Sequence, residues 1–260
     1  METNYISVTE IAGDEVSQEQ INRLCNRYYW AGNYCADKDV VEIACGTGQG
    51  LGYLQGIAKT LEAGDYSKDM LIIARRHYKN RIKLIQCDAQ DMPFEENSKD
   101  VIILFEAIYY IPDVKKFIES ACGILRPGGT VLIATANKDL YDFNPSPYSH
   151  KYFGVLELKQ LFEAYGFETV FFGDTPVNKA SFLQKTLRPI KTVAVKFNLI
   201  PKTMTMKKIL KRLVFGKLVK MSPEIKADTA LYVEPQKLRD DRKDQGYKVI
   251  YCAATLGENK

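Results

Sequence analysis

The chain has 260 residues, enough for one large domain with a sizeable core. With 46% hydrophobic and 26% charged residues it lies outside the disordered, collagen-like and disulfide-dense classes. The net charge of +4 hides a segregation: residues 175–245 carry 17 Lys/Arg against 6 Asp/Glu, and the remainder has a net charge of −7. No basic leader with an apolar core opens the chain, and no apolar run approaches the ~20 residues that span a bilayer. The six cysteines include no CxxC pair and read as reduced thiols, so a cytoplasmic protein is expected. Only two histidines exist, neither with cysteines at ligand spacing, and no metal site is expected.

The first 39 residues predict a helix over Ser17–Tyr34, aromatic near its end at Tyr28, Tyr29, Trp30 and Tyr34. It either packs on a sheet or forms a lid over a ligand crevice. From there to residue 173, strand-like runs (Val40–Ala44, Thr60–Ala63, Lys83–Gln86, Val101–Phe105, Thr130–Thr135, Glu168–Phe172) alternate with helical stretches. The helices are expected over Gly50–Ala58, Lys68–Tyr78, Asp113–Leu125 and Val155–Ala164, and Arg126-Pro-Gly-Gly predicts a stop and turn. Such alternation predicts βαβ units, a parallel α/β sheet with helices on both faces. A last strand, Tyr247–Ala254, lies beyond the basic segment, which therefore reads as an insertion before that strand.

Three ligand signals follow successive strands. Val40-Val-Glu-Ile-Ala-Cys-Gly-Thr-Gly-Gln-Gly50 is a buried strand entering a glycine-rich turn and then a helix, with Glu42 inside the strand. It departs from the dinucleotide pattern G-x-G-x-x-G, because Leu51 stands at the third glycine. Asp65 ends the second strand, where a carboxylate can accept both hydroxyls of a ribose. Cys87-Asp88-Ala89-Gln90-Asp91-Met-Pro-Phe94 follows the third strand, where an Asp can accept from an adenine amine. Together they converge on the crevice where open α/β sheets bind ligands.

The stretches VVEIACGTGQG, EAGDYSKDML, CDAQDMPF, DVIILFEAIYYIPD and ILRPGGTVLIAT, over roughly 40–136, resemble the class I S-adenosylmethionine (SAM)-dependent methyltransferases of the small-molecule type, methyltransferase type 11. The resemblance implies a Rossmann-like sheet of seven strands, the last antiparallel, with S-adenosyl-L-methionine as cofactor. With the charge segregation and the element order, the expected units are 1–39 (helical lid), 40–174 (SAM-binding core), 175–245 (basic, mainly helical insertion) and 246–260 (final strand). The resemblance places Gly46 and Gly48 against the methionyl part and gives Glu42 a role through the glycine loop or the ligand's amino group. Asp65 is expected at the ribose, with Met70, Asp88 and Ala89 around the adenine. Phe105 and Glu106 border the transferred methyl, and Arg27-Tyr28 resembles an N-terminal pair that reaches the SAM carboxylate.

The activity implied is methyl transfer to an oxygen or nitrogen of a small acceptor, such as a sugar or a phosphate-bearing or lipid-linked glycan precursor. His150, in the proline-rich loop Asn144-Pro-Ser-Pro-Tyr-Ser-His150, is a candidate base, with Glu106 and Tyr109 as further candidates beside the acceptor. His77 reads as a helix-end cation. The insertion leaves three readings open: a solvated cap, a basic lid over an anionic acceptor, and a membrane-surface helix around 206–215. Two further alternatives are a SAM-binding regulator without catalysis and an RNA methyltransferase using the basic segment, although no nucleic-acid recognition motif is present.

Overall fold

A computed structural model describes residues 9, 11–177 and 218–258. A short strand β1 (Glu15–Val16) leads into helix α1 (Gln18–Cys35). The Ser17 side chain accepts from the backbone N–H of Gln20, whose side-chain oxygen accepts from the Ser17 N–H, a reciprocal cap that starts α1. There follow β2 (Asp39–Ile43), α2 (Leu51–Gln55), β3 (Thr60–Asp65), α3 (Lys68–Tyr78), β4 (Lys83–Gln86) and β5 (Lys99–Phe105). Next come α4 (Val114–Ile124), β6 (Leu125–Ala136), α5 (Val155–Glu163) and β7 (Phe167–Pro176). Past residue 217 lie β8 (Val219–Lys220), β9 (Gln236–Lys237) and β10 (Tyr247–Leu256).

One mixed sheet runs in the order β4-β3-β2-β5-β6-β10-β7-β9. Strands β2 to β6 pair in parallel, and β10 is antiparallel to both β6 and β7. Seven of these strands are the expected ones; the two-residue β9 adds an eighth at the edge. The central strands bury both faces, as their continuous apolar runs require. Alternate residues of β5, β6 and β10 (Ile102, Leu104, Val131, Ile133, Ile250, Cys252) face α4 and α5. Their neighbours (Val101, Ile103, Leu132, Ala134, Val249, Tyr251) face α1. The chain leaves β2 toward β3 and β4, then returns to the other side of β2 with β5. The carboxyl ends of β2 and β5 therefore flank the switch point where such sheets form a crevice.

Three local expectations need correction. Arg126-Pro-Gly-Gly is not a separate turn: it lies within β6, with Gly128 at φ 76°, and the pairing with β5 shifts register between Lys99 and Val101. Helix α2 is shorter than expected, because Gly50, Gly52 and Gly56 weaken a helix there. The described parts of the basic segment, 175–177 and 218–245, hold the end of β7, two two-residue strands and no α-helix; the expected helix around 206–215 lies outside the described residues.

Residues 218–233 form a strap over α1 and the glycine turn. β8 pairs with β1, and Met221 and Ile225 are buried against α1. The Ile225 N–H donates to the Gln49 carbonyl, and the Tyr29 hydroxyl donates to the Lys226 carbonyl. Glu224 binds Arg81 through both oxygens at 3.1 Å and His77 Nε2 at 2.7 Å, so His77 is a hydrogen-bond partner of the strap as well as a helix-end group. A Cβ at Gly52 would stand 1.9 Å from Glu224, so only glycine admits this carboxylate.

Helix α1 is held on the sheet by Trp30, which stacks on Tyr251 at 4.8 Å and meets Phe105 and Phe172. Trp30→Ala is expected to cost about 3–5 kcal/mol, the range for deleting a buried aromatic. Urea unfolding checks this: a loss below about 1 kcal/mol would mean that α1 is only loosely docked.

Candidate functional site

A cavity of about 840 Å³ opens at this switch point. Its walls come from the carboxyl ends of β2, β3 and β5, the turn after β4, one face of α1, and the start of β10.

The glycine turn is fixed from two sides. Beyond β2 the backbone enters the left-handed region at Ala44 (φ 57°) and Gly46 (φ 58°). A Cβ at Gly46 would meet nothing within 4 Å, so conformation rather than crowding selects glycine there. The Gly46 N–H donates to Asp65 Oδ2 at 2.8 Å, and the Ser67 N–H donates to Asp65 Oδ1 at 2.7 Å. Burial raises the Asp65 pKa, and these two N–H groups pull it back. Each carboxylate oxygen keeps a second lone pair for a ligand hydroxyl.

Gly48, expected at the ligand, is held by contacts behind the turn. It is not among the residues lining the cavity; its φ is 83°, and a Cβ would stand 2.9 Å from the Tyr78 ring. The fully buried Tyr78 donates to the Gly48 carbonyl at 2.6 Å and accepts from the Gly52 N–H at 3.1 Å. The turn thus rests on α3.

Glu42, 1% exposed, points from β2 toward the cavity. Tyr28 donates to its Oε1 at 2.6 Å, while its Oε2 is buried with no hydrogen-bond partner. Burial pushes its pKa up to about 7, against the lowering effects of the Tyr28 hydrogen bond and the Arg27 charge. The Tyr28 ring covers the turn: a Cβ at Gly50 would stand 2.0 Å from it. Met70, Asp88 and Ala89 line the same part of the cavity, and Asp88 Oδ1 accepts from the Gln90 N–H at 2.8 Å.

The opposite wall begins at Phe105, whose ring meets Tyr28 edge-on at 5.4 Å. Glu106 has φ 51°, a left-handed conformation that costs a non-glycine residue about 1–3 kcal/mol. Its carboxylate accepts from the Tyr109 hydroxyl at 3.1 Å and lies 3.6 Å from Arg27. His150 is exposed at the same wall, and its backbone N–H donates to the Tyr109 carbonyl at 2.8 Å. The fold therefore brings His150, Glu106 and Tyr109 onto one side, while Tyr28 and Arg27 turn toward Glu42 and Glu106. Asp174 was not expected here. It is buried at the end of β7, accepting from Asn26 and Tyr251, each at 3.0 Å. Tyr78 was equally hidden, since in sequence it is one more apolar position of α3.

Residues 41–133 match the profile of a family described as a methyltransferase domain. A "probable S-adenosylmethionine-dependent methyltransferase" of Mycolicibacterium smegmatis is 29% identical over 138 residues, 52% of this chain and 53% of that protein. A fatty-acid O-methyltransferase of the same organism is 31% identical over 127 residues, 45% of each chain. The chain spans about half the length of the curated relatives it matches. Residues 41–133 are thus similar to a methyltransferase domain. The fold agrees with the solved phosphoethanolamine N-methyltransferase 2 of Haemonchus contortus in complex with SAM, at TM-score 0.53 and 17% identity, over 89% of this chain and 52% of that one.

SAM is the cofactor in the name of the first Mycolicibacterium relative, and the residues of this cavity fit it. An orphaned, buried carboxylate oxygen on Glu42 suits a cationic ligand, and Asp65 has free lone pairs for hydroxyls. No helix among the described residues is long and apolar enough to cross a membrane.

Glu42 makes the apo protein sensitive to pH. Its folded pKa of about 7 lies above the usual 4.5, so the folded state holds a proton that the unfolded state has released. Stability is thus expected to fall as pH rises from about 4.5 through about 7. Glu42→Gln should remove that component of the slope in denaturant titrations at pH 5 and about 8. An unchanged slope would remove Glu42 as its source.

Proposed function

We propose that this chain is a SAM-dependent methyltransferase acting on an oxygen or nitrogen atom of a small acceptor. The observation that carries the reading is the convergence of the glycine turn, Asp65 and Asp88 at the ends of three strands around one cavity. When bound, SAM supplies a methyl group already activated on a sulfonium. Gly46, Glu42, Asp65, Met70, Asp88 and Ala89 would hold it, with Glu42 as the counter-charge for its cationic part. Phe105 and Tyr28 would close the apolar wall beside the transferred group and exclude water.

The remaining task is to align the acceptor and, for a hydroxyl, to take its proton. His150 is the group best placed for the proton: it stands at the cavity wall with its ring outside any hydrogen bond among the described residues. Glu106 is engaged by Arg27 and Tyr109, and its role is to orient the wall. Transfer to oxygen is supported by the relative named a fatty-acid O-methyltransferase. A sugar or a phosphate-bearing or lipid-linked glycan precursor is our preferred acceptor class, on the positive charge of 175–245. In this reading α1 and the strap form the roof of the site.

Calorimetric titration tests the cofactor site: Asp65→Ala should weaken SAM binding by at least about tenfold. Unchanged affinity would place the cofactor elsewhere. Labelled methyl transfer from SAM into candidate acceptors tests the chemistry. With a hydroxyl acceptor, His150→Ala should lower kcat by about 10²–10⁴ with SAM affinity retained. An unaltered kcat would deny His150 the proton.

A further inference from the structure

Resting on the cofactor reading above, we infer that Arg23 binds an oxyanion, phosphate or carboxylate, carried by the acceptor. Glu19, Arg23, Asn26 and Trp30 stand at helical spacing along one face of α1. Three of the four meet partners on β7 and β10. Glu19 accepts from Lys248 at 2.7 Å, Asn26 donates to Asp174 at 3.0 Å, and Trp30 stacks on Tyr251. Arg23 lies between them, partly buried, on the cavity wall. Among the described residues it makes no hydrogen bond or ion pair, and its Nε is buried.

The other charged groups around the cavity each have a hydrogen-bond or ion-pair partner, with one oxygen of Glu42 left over. Of its carboxylates, Glu42 takes Tyr28, Asp65 takes the Gly46 and Ser67 N–H groups, and Asp88 takes Gln90. Glu106 takes Tyr109 and Arg27, and Asp174 takes Asn26 and Tyr251. Lys248 is held by Glu19. Among the described residues lining the cavity, the Arg23 guanidinium is therefore the cation without a partner. A half-buried guanidinium without a partner is costly, and its planar fork matches an oxyanion in bidentate geometry. Its neighbours tie it to the β10–β7 half of the cavity, away from Asp65 and Asp88. That position separates it from the ribose and adenine, and the anion is assigned to the acceptor, with the cofactor's own carboxylate as the competing outcome of the test.

The test uses the full chain saturated with S-adenosylhomocysteine, the demethylated cofactor, at low ionic strength. Wild type, Arg23→Gln and Arg23→Lys are each titrated with inorganic phosphate and, separately, with acetate. Wild type should bind one anion per chain saturably, at least about tenfold more tightly than Arg23→Gln, with Arg23→Lys between them. Affinity for S-adenosylhomocysteine should be the same in all three. Preference for phosphate assigns a phosphate-bearing acceptor, and preference for acetate a carboxylate. Equal anion binding in wild type and Arg23→Gln, or none in wild type, overturns the assignment. Loss of S-adenosylhomocysteine affinity in Arg23→Gln also overturns it, by giving Arg23 to the cofactor. Failure of wild type to bind S-adenosylhomocysteine, seen before any anion is added, overturns the cofactor reading itself and this assignment with it.

Discussion

A carboxylate buried at the end of a parallel strand must find hydrogen bonds, and the site is organised around how Asp65 and Glu42 find theirs. Asp65 takes the N–H of Gly46 from the neighbouring strand's turn and that of Ser67 from its own. One side chain thereby fixes the glycine turn to β3 and sets the entry to α3, whose first turn Ser67 caps. Glu42 is only half satisfied: Tyr28 supplies one bond, and the second oxygen has none. That remaining deficit supports the proposed placement of a cationic group beside Glu42 and of hydroxyls beside Asp65.

The roof depends on the same arrangement. Tyr28 reaches Glu42 only because α1 lies across the strand ends, and α1 lies there because Trp30, Tyr29 and Leu24 bury against the sheet and the strap. Tyr29 accepts from Ala230 and donates to Lys226, while Glu224 clasps Arg81 and His77 over Gly52. The strap therefore binds the roof, the glycine turn and α3 into one body. Asn26, Asp174 and Tyr251 do the same on the far side, with burial holding the Tyr251 pKa well above its usual value so that the phenol stays a donor.

Much of this was legible in the sequence. The αβ alternation, the glycine turn and the Asp65 and Asp88 positions all lie in local patterns, and the strands fall within a few residues of where the apolar runs put them. Cys45-Gly-Thr-Gly-Gln-Gly50 announced the turn, but not which glycine lines the cavity. Gly48 serves Tyr78, thirty residues away, and no local pattern carries that contact. Asp174 and Arg23 were invisible for a similar reason: their meaning comes from α1 crossing β10 and β7. The strap, part of a segment expected to be mainly helical, is a two-residue strand followed by bends and turns, because its order comes from hydrogen bonds to α1 and the glycine turn rather than from its own propensity. His77, taken for a helix-end cation, gains its partner from a residue 147 positions later.

The most direct measurement is a crystal structure of the chain grown with S-adenosylhomocysteine. The account predicts the ribose hydroxyls within hydrogen-bond distance of Asp65, the adenine between Met70 and Asp88–Ala89, and the amino group on the Glu42 side of the glycine turn. A ligand bound away from Asp65, or a cavity still empty at saturating concentration, would contradict it.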